Sequence, residues 1–125
     1  MTAMAGIAVK DGETIAFLGD SITQAGARPD GYVQLAIRGL ESAGVKTSAI
    51  PAGISGHKSN QMLARLERDV LSKKPNWMTL SCGVNDVWHG NRGVNLADYK
   101  TNITKIVDRC QKAGVNVVLL TSTMI

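Results

Sequence analysis

Short apolar runs alternate along the chain with longer stretches in which apolar residues recur every three or four positions. Ile15, Ala16, Phe17 and Leu18 form the first run, cut off at Gly19. Further runs fall at 45–50, closed by Pro51, at 77–82 and at 115–120. These read as four strands, the first over 14–18. A loop at 26–31, bearing glycine and proline, leads to Asp30, a candidate N-cap. Tyr32, Val33, Leu35, Ala36, Ile37 and Leu40 then keep helical spacing until Gly44. Ser59 is a candidate cap for a helix carrying Met62, Leu63, Leu66, Val70 and Leu71 on one stripe, stopped by Lys73-Lys74-Pro75. Asn95 or Asp98 opens a third helix, with Tyr99, Ile103, Ile106, Val107 and Cys110 on one face and Gly114 at its end. Strands alternating with helices of this length predict βαβ units and a parallel α/β sheet with right-handed crossovers.

Composition narrows the picture only a little. The 125 residues suit one domain, and 44% hydrophobic with 19% charged residues fit a folded chain rather than a disordered one. Aromatics make up 4%, so the core must rest on aliphatic residues and methionine. The net charge of +4 is spread out and has no basic run with interleaved aromatics, which argues against nucleic acid as partner. Cys82 and Cys110 read as two buried thiols, with a single disulfide as the alternative; their spacing matches no metal site, and neither metal nor cofactor is expected. No stretch approaches the ~20 apolar residues of a membrane span. Positions 1–10 lack the basic start and long apolar core of a signal peptide. The compartment is therefore left open: exported if a leader was removed, otherwise cytoplasmic.

The chemistry sits where strands end. Gly19-Asp20-Ser21-Ile22, Gly53-Ile54-Ser55-Gly56 and Gly83-Val84-Asn85-Asp86 follow the first three strands in turn. In parallel α/β sheets ligands bind outside the carboxyl ends of the strands, so all three segments share the functional edge. Ser21 offers a hydroxyl and its own N–H, Gly56 an N–H that no side chain shields, and Asn85 a side-chain amide. Those are the parts of a nucleophile and an oxyanion hole. Two other patterns fail. Aligning Lys58-Ser59 to a phosphate-binding loop leaves His57 and Ala52 where its glycines belong, and Thr23 stands at the last glycine of a G-x-S-x-G elbow.

In order and spacing, the three segments resemble the first three motif blocks of the SGNH (GDSL) esterase and lipase family, from about Thr14 onward. The resemblance implies a three-layer α/β/α, flavodoxin-like fold with strand order 2-1-3-4 and the family's fifth strand absent from this chain. It makes Ser21 the nucleophile and an oxyanion donor, Gly56 and Asn85 the other donors, and Asp20 the residue that holds the turn. Pro51 stands where many members have asparagine. The implied activity is serine-dependent hydrolysis of a carboxylic ester, on a small ester or an acylated carbohydrate or lipid. The family's fourth motif, Asp-x-x-His, supplies the base, and no histidine follows His89. Residues 1–125 are thus expected to form one such domain truncated at its C-terminus. A missing segment would complete it, or self-association through the fourth strand would cover the open edge. Asp86-Val87-Trp88-His89 matches the missing motif by spacing, with Asp86 expected instead to cap the short helix there; His89 and His57 are the remaining candidate bases. The alternative is a non-catalytic binding module that keeps the oxyanion pocket.

Overall fold

A computed structural model describes residues 6–121. Positions 1–5, part of the segment weighed as a signal peptide, lie outside the described residues. Four strands, β1 (Thr14–Gly19), β2 (Ser48–Gly53), β3 (Trp77–Leu80) and β4 (Asn116–Leu119), form one parallel sheet in the order β2-β1-β3-β4. The helices are α1 (Ser21–Gly26), α2 (Tyr32–Ser42), α3 (Ser59–Ala64), α4 (Leu66–Asp69), α5 (Val84–Trp88) and α6 (Leu96–Lys112). The α/β class and strand order are those the sequence implies.

β1 explains the layering. It is interior and buried on both faces, so it reads as an unbroken apolar run. Alternate residues face opposite ways: Ala16 and Leu18 join Met62, Leu66, Met78, Leu80, Ile106 and Cys110 beneath α3, α4 and α6, while Ile15 and Phe17 meet Val33 of α2. Full burial of each large aliphatic side chain stabilises by about 1.5–3 kcal/mol. No disulfide joins Cys82 and Cys110, and both thiols are buried. Burial pushes the Cys110 thiol up to about 11. No helix of the described residues is long and apolar enough to cross a membrane.

Several local expectations change. Pro51 does not close β2 but lies inside it, paired with Phe17. Ser48 donates its N–H to Glu13 O, just before β1, and Ile54 to Gly19 O at its end, so even-numbered residues face that neighbour and the Pro51 nitrogen faces the open edge, where no donor is required. Gly31 rather than Asp30 caps α2, after a turn closed by the Gly31 N–H on Arg28 O. Lys58 precedes the third helix and Ser59 is its first residue; Gln61 Oε1 accepts the Lys58 N–H at 2.8 Å. The long helix read from 59 onward is interrupted at Arg65 (φ −102°, ψ 5°) and yields α3 and α4. Asn95 caps α6 as read, accepting the Asp98 N–H at 2.8 Å.

The register brings the motifs to one level. Gly19 pairs with Gly53, and Leu18 with both Ala52 and Leu80, so the chain leaves β1, β2 and β3 at the same edge.

Candidate active site

One residue past β1, Asp20 turns its buried carboxylate onto the next turn, where Oδ1 accepts the Ile22 N–H at 3.1 Å and caps α1. Ser21 is then the first helical residue, exposed at the edge of the sheet. The Thr23 and Tyr32 hydroxyls, 2.6 Å apart, fasten α1 from behind. Burial raises the Tyr32 pKa, so the phenol stays protonated. On its other side Gln24 Oε1 accepts the Ser55 N–H at 2.6 Å. Gly53 permits that approach, since a Cβ there would collide with the backbone of Thr23 and Gln24. Ser21 and Ser55 thereby line one cavity of about 320 Å³, with Gln24, Ala25 and Arg28.

Gly56 follows at φ +80°, a left-handed conformation, and no heavy atom lies within 4 Å of where a Cβ would stand. From α5, which follows β3, Asn85 donates Nδ2–H to the His57 carbonyl at 3.1 Å. An amide carries two N–H groups, so a second remains for a ligand. The structure therefore brings Ser21 against the 53–56 turn and Asn85 against the residue after Gly56. Neither Gly56 nor Asn85 is among the residues lining the Ser21 cavity.

Asp86 does not cap α5, whose cap position is Gly83. Its buried carboxylate accepts the N–H and hydroxyl of Ser59, and the Cys82 thiol lies 3.7 Å from Oδ1. With both oxygens so engaged, Asp86 does not serve His89, which caps the C-terminal end of α5. Burial, and then the Asp86 charge, drives the Cys82 thiol far above its ordinary range. His57 Nδ1 accepts Nε–H of Arg65 at 3.0 Å, which leaves the ring proton on Nε2. Desolvation, and then the Arg65 charge, lowers the His57 pKa.

Three supports escaped the sequence reading: Gln24, the Ser59–Asp86 pair with Asn102 donating to Ser59 Oγ at 3.1 Å, and Arg65. Only Arg65 left a trace there, as a cation set three residues after Met62 and one before Leu66 on an apolar stripe. Among the described residues no group of three or more His, Cys, Asp or Glu could hold a metal ion.

The family model described as GDSL-like lipase/acylhydrolase matches residues 17–125. An acetylxylan esterase of Geobacillus stearothermophilus is 30% identical over 135 residues, covering 90% of this chain and 61% of that protein. Esterase TesA of Pseudomonas aeruginosa is 31% identical over 110 residues, 86% of this chain and 53% of its own length. The crystal structure of Axe2, an acetylxylan esterase from G. stearothermophilus, superposes with a TM-score of 0.82 at 28% identity, over 90% of this chain and 61% of Axe2. Catalytic mutants of Axe2 replace a serine, an aspartate or a histidine. The chain thus spans between about half and three-fifths of the length of these relatives.

Proposed function

Because the chain belongs to the GDSL-like lipase/acylhydrolase family, we propose that it carries the nucleophile and oxyanion hole of a serine hydrolase acting on carboxylic esters. The observation that supports this most is the pair of bonds at the sheet edge, Gln24 to Ser55 and Asn85 to His57, which tie the segments bearing Ser21 and Asn85 to the residues on either side of Gly56. Ser21 Oγ attacks the ester carbonyl and gives its proton to a histidine. The oxygen left negative accepts N–H groups from Ser21, Gly56 and Asn85. As the intermediate collapses, the alcohol departs with that proton, and water releases the acyl group from Ser21 by the same steps.

Among the described residues neither histidine is arranged as the base: His57 Nδ1 is occupied by Arg65, and Asp86 is engaged by Ser59. The reading therefore requires an Asp–His pair that residues 1–125 do not supply, the two residue types altered along with serine in the catalytic mutants of Axe2. For the substrate, the cavity beside Ser21 has polar walls, with Ala25 its one apolar lining residue. Those walls favour a short acyl group on a hydroxylated alcohol, such as an acetylated carbohydrate, over a long acyl chain.

The test is hydrolysis of p-nitrophenyl acetate and octanoate by the complete protein and its Ser21→Ala variant. Ser21→Ala should lose several orders of magnitude in kcat, about 10⁶ in comparable cases, and the parent should prefer acetate. Equal turnover by variant and parent would refute the serine mechanism, and a preference for octanoate would refute the substrate class.

A further inference from the structure

We propose that Arg65 is a positioning residue for this site: its buried guanidinium clamps the Gly56–His57 segment to the ends of β1 and β2 and locks His57 in its Nε2–H form. The proposal rests on reading the Gly56 N–H as an oxyanion donor.

The guanidinium is only 4% exposed, and its bonds reach four segments. Nη2 donates to Gly19 O at 2.9 Å, two residues before Ser21. Nη1 donates to Ala52 O at 2.9 Å, four residues before Gly56, and to Asp69 Oδ2 at 3.1 Å. Nε donates to His57 Nδ1 at 3.0 Å. The first two acceptors lie at the ends of neighbouring strands, on the last residue of β1 and the last but one of β2, just where each chain leaves the sheet for a motif. The His57 acceptor lies one residue past Gly56, on the residue whose carbonyl receives Asn85. One planar fork therefore links all three motif blocks: the first and second directly, the third through His57.

Burying a cation is costly, and Asp69 offsets that cost from one side alone. Capping two strand-end carbonyls does not by itself call for a charge, since water or a neutral amide would satisfy them. What a guanidinium adds is several N–H groups in fixed mutual directions. Lysine, a point charge on a flexible stem, keeps the charge and loses that geometry. Gly56 needs such support. Its left-handed turn has open space around it, so its direction has to be set by the residue that follows.

The test is NMR on the 15N-labelled 125-residue chain, its Arg65→Lys variant and Leu66→Ala. The last variant loosens the core beside the same turn but keeps the guanidinium. In the parent, His57 should be the Nε2–H tautomer and resist protonation to below its usual pKa of about 6.5. In Arg65→Lys, His57 should titrate nearer that value, and the amides of Gly56 and His57 should exchange about tenfold faster, with β3 and α6 unchanged. Leu66→Ala should speed exchange broadly and leave the His57 tautomer alone. A parent His57 carrying its proton on Nδ1 would overturn the proposal even if Arg65→Lys failed to fold. So would an Arg65→Lys exchange pattern that merely copies Leu66→Ala. None of these readings requires turnover, so the clamp can fail while Ser21→Ala still abolishes hydrolysis, or stand if the oxyanion role of Gly56 does not.

Discussion

His57 is held neutral by its surroundings, and this gives the protein a pH dependence with a definite sign. Burial first, and then the charges of Arg65, Arg68 and Lys58, disfavour its charged form, while Asp69 favours it. Its folded pKa is thus below the unfolded value of about 6.5, and between the two the unfolded chain binds more protons. Stability is full above pH 6.5 and declines as acid is added through that window, because a protonated Nδ1 cannot accept from Arg65. His57→Gln, whose amide oxygen can accept the same N–H at any pH, should flatten the decline. Urea midpoints from pH 7 to about pH 5 would show it, and parallel curves for the two proteins would count against the Arg65–His57 bond. Asp69 does not interfere in this range. Its hydrogen bond to Arg68, then the one to Arg65, keeps its carboxyl below the ordinary carboxylate value.

At the scale of elements, Asp86 is the pin. From α5 its carboxylate holds the first residue of α3, while α6 reaches the same Ser59 through Asn102. Removing it orphans a buried N–H and a hydroxyl, so Asp86→Ala should cost about 1–3 kcal/mol for each group left unpaired. Asp86→Asn, which can still accept, should cost less; urea denaturation of both would decide, and equal losses would mean the carboxylate acts by charge alone. The elements that the sequence made plain are those with a long pattern. β1 is an unbroken apolar run, and α6 has a cap and a stripe through Ile106 and Cys110. The six-residue α1 and five-residue α5 were not readable in detail, because neither is long enough to show a period. β2 was placed three residues early because proline reads as a stop unless the strand is known to lie at an edge. The site followed the same rule. Ser21, Gly56 and Asn85 stood out as residues just past strands, whereas Gln24 and Asp86 act across 31 and 27 positions of sequence and Arg65 reaches back as far as 46, distances that no local pattern encodes.

Across the whole molecule the two faces of the sheet are unequally covered. On one face α2 closes over Ile15 and Phe17 of β1. Exposed large apolar side chains lie on Leu35 of α2, on Val87, Trp88 and Leu96 along the segment from α5 to α6, and at the far side of the sheet, where Val118 is 41% and Leu119 56% exposed. As 125 residues, the chain should show concentration-dependent size in sedimentation, and Leu119→Lys should shift it toward monomer. A parent that stays monomeric at every concentration would remove the β4 edge from consideration as a contact. The proline in β2 fixes what such a contact can become. With Pro51 turned outward, that border of the sheet offers no donor at its middle, so only the β4 border can accept another strand. Two copies joined there meet back to back about a two-fold axis, each using up the other's single sticky border. Any such growth would then stop at two, limiting a sheet with an open border to a closed pair instead of a fibre.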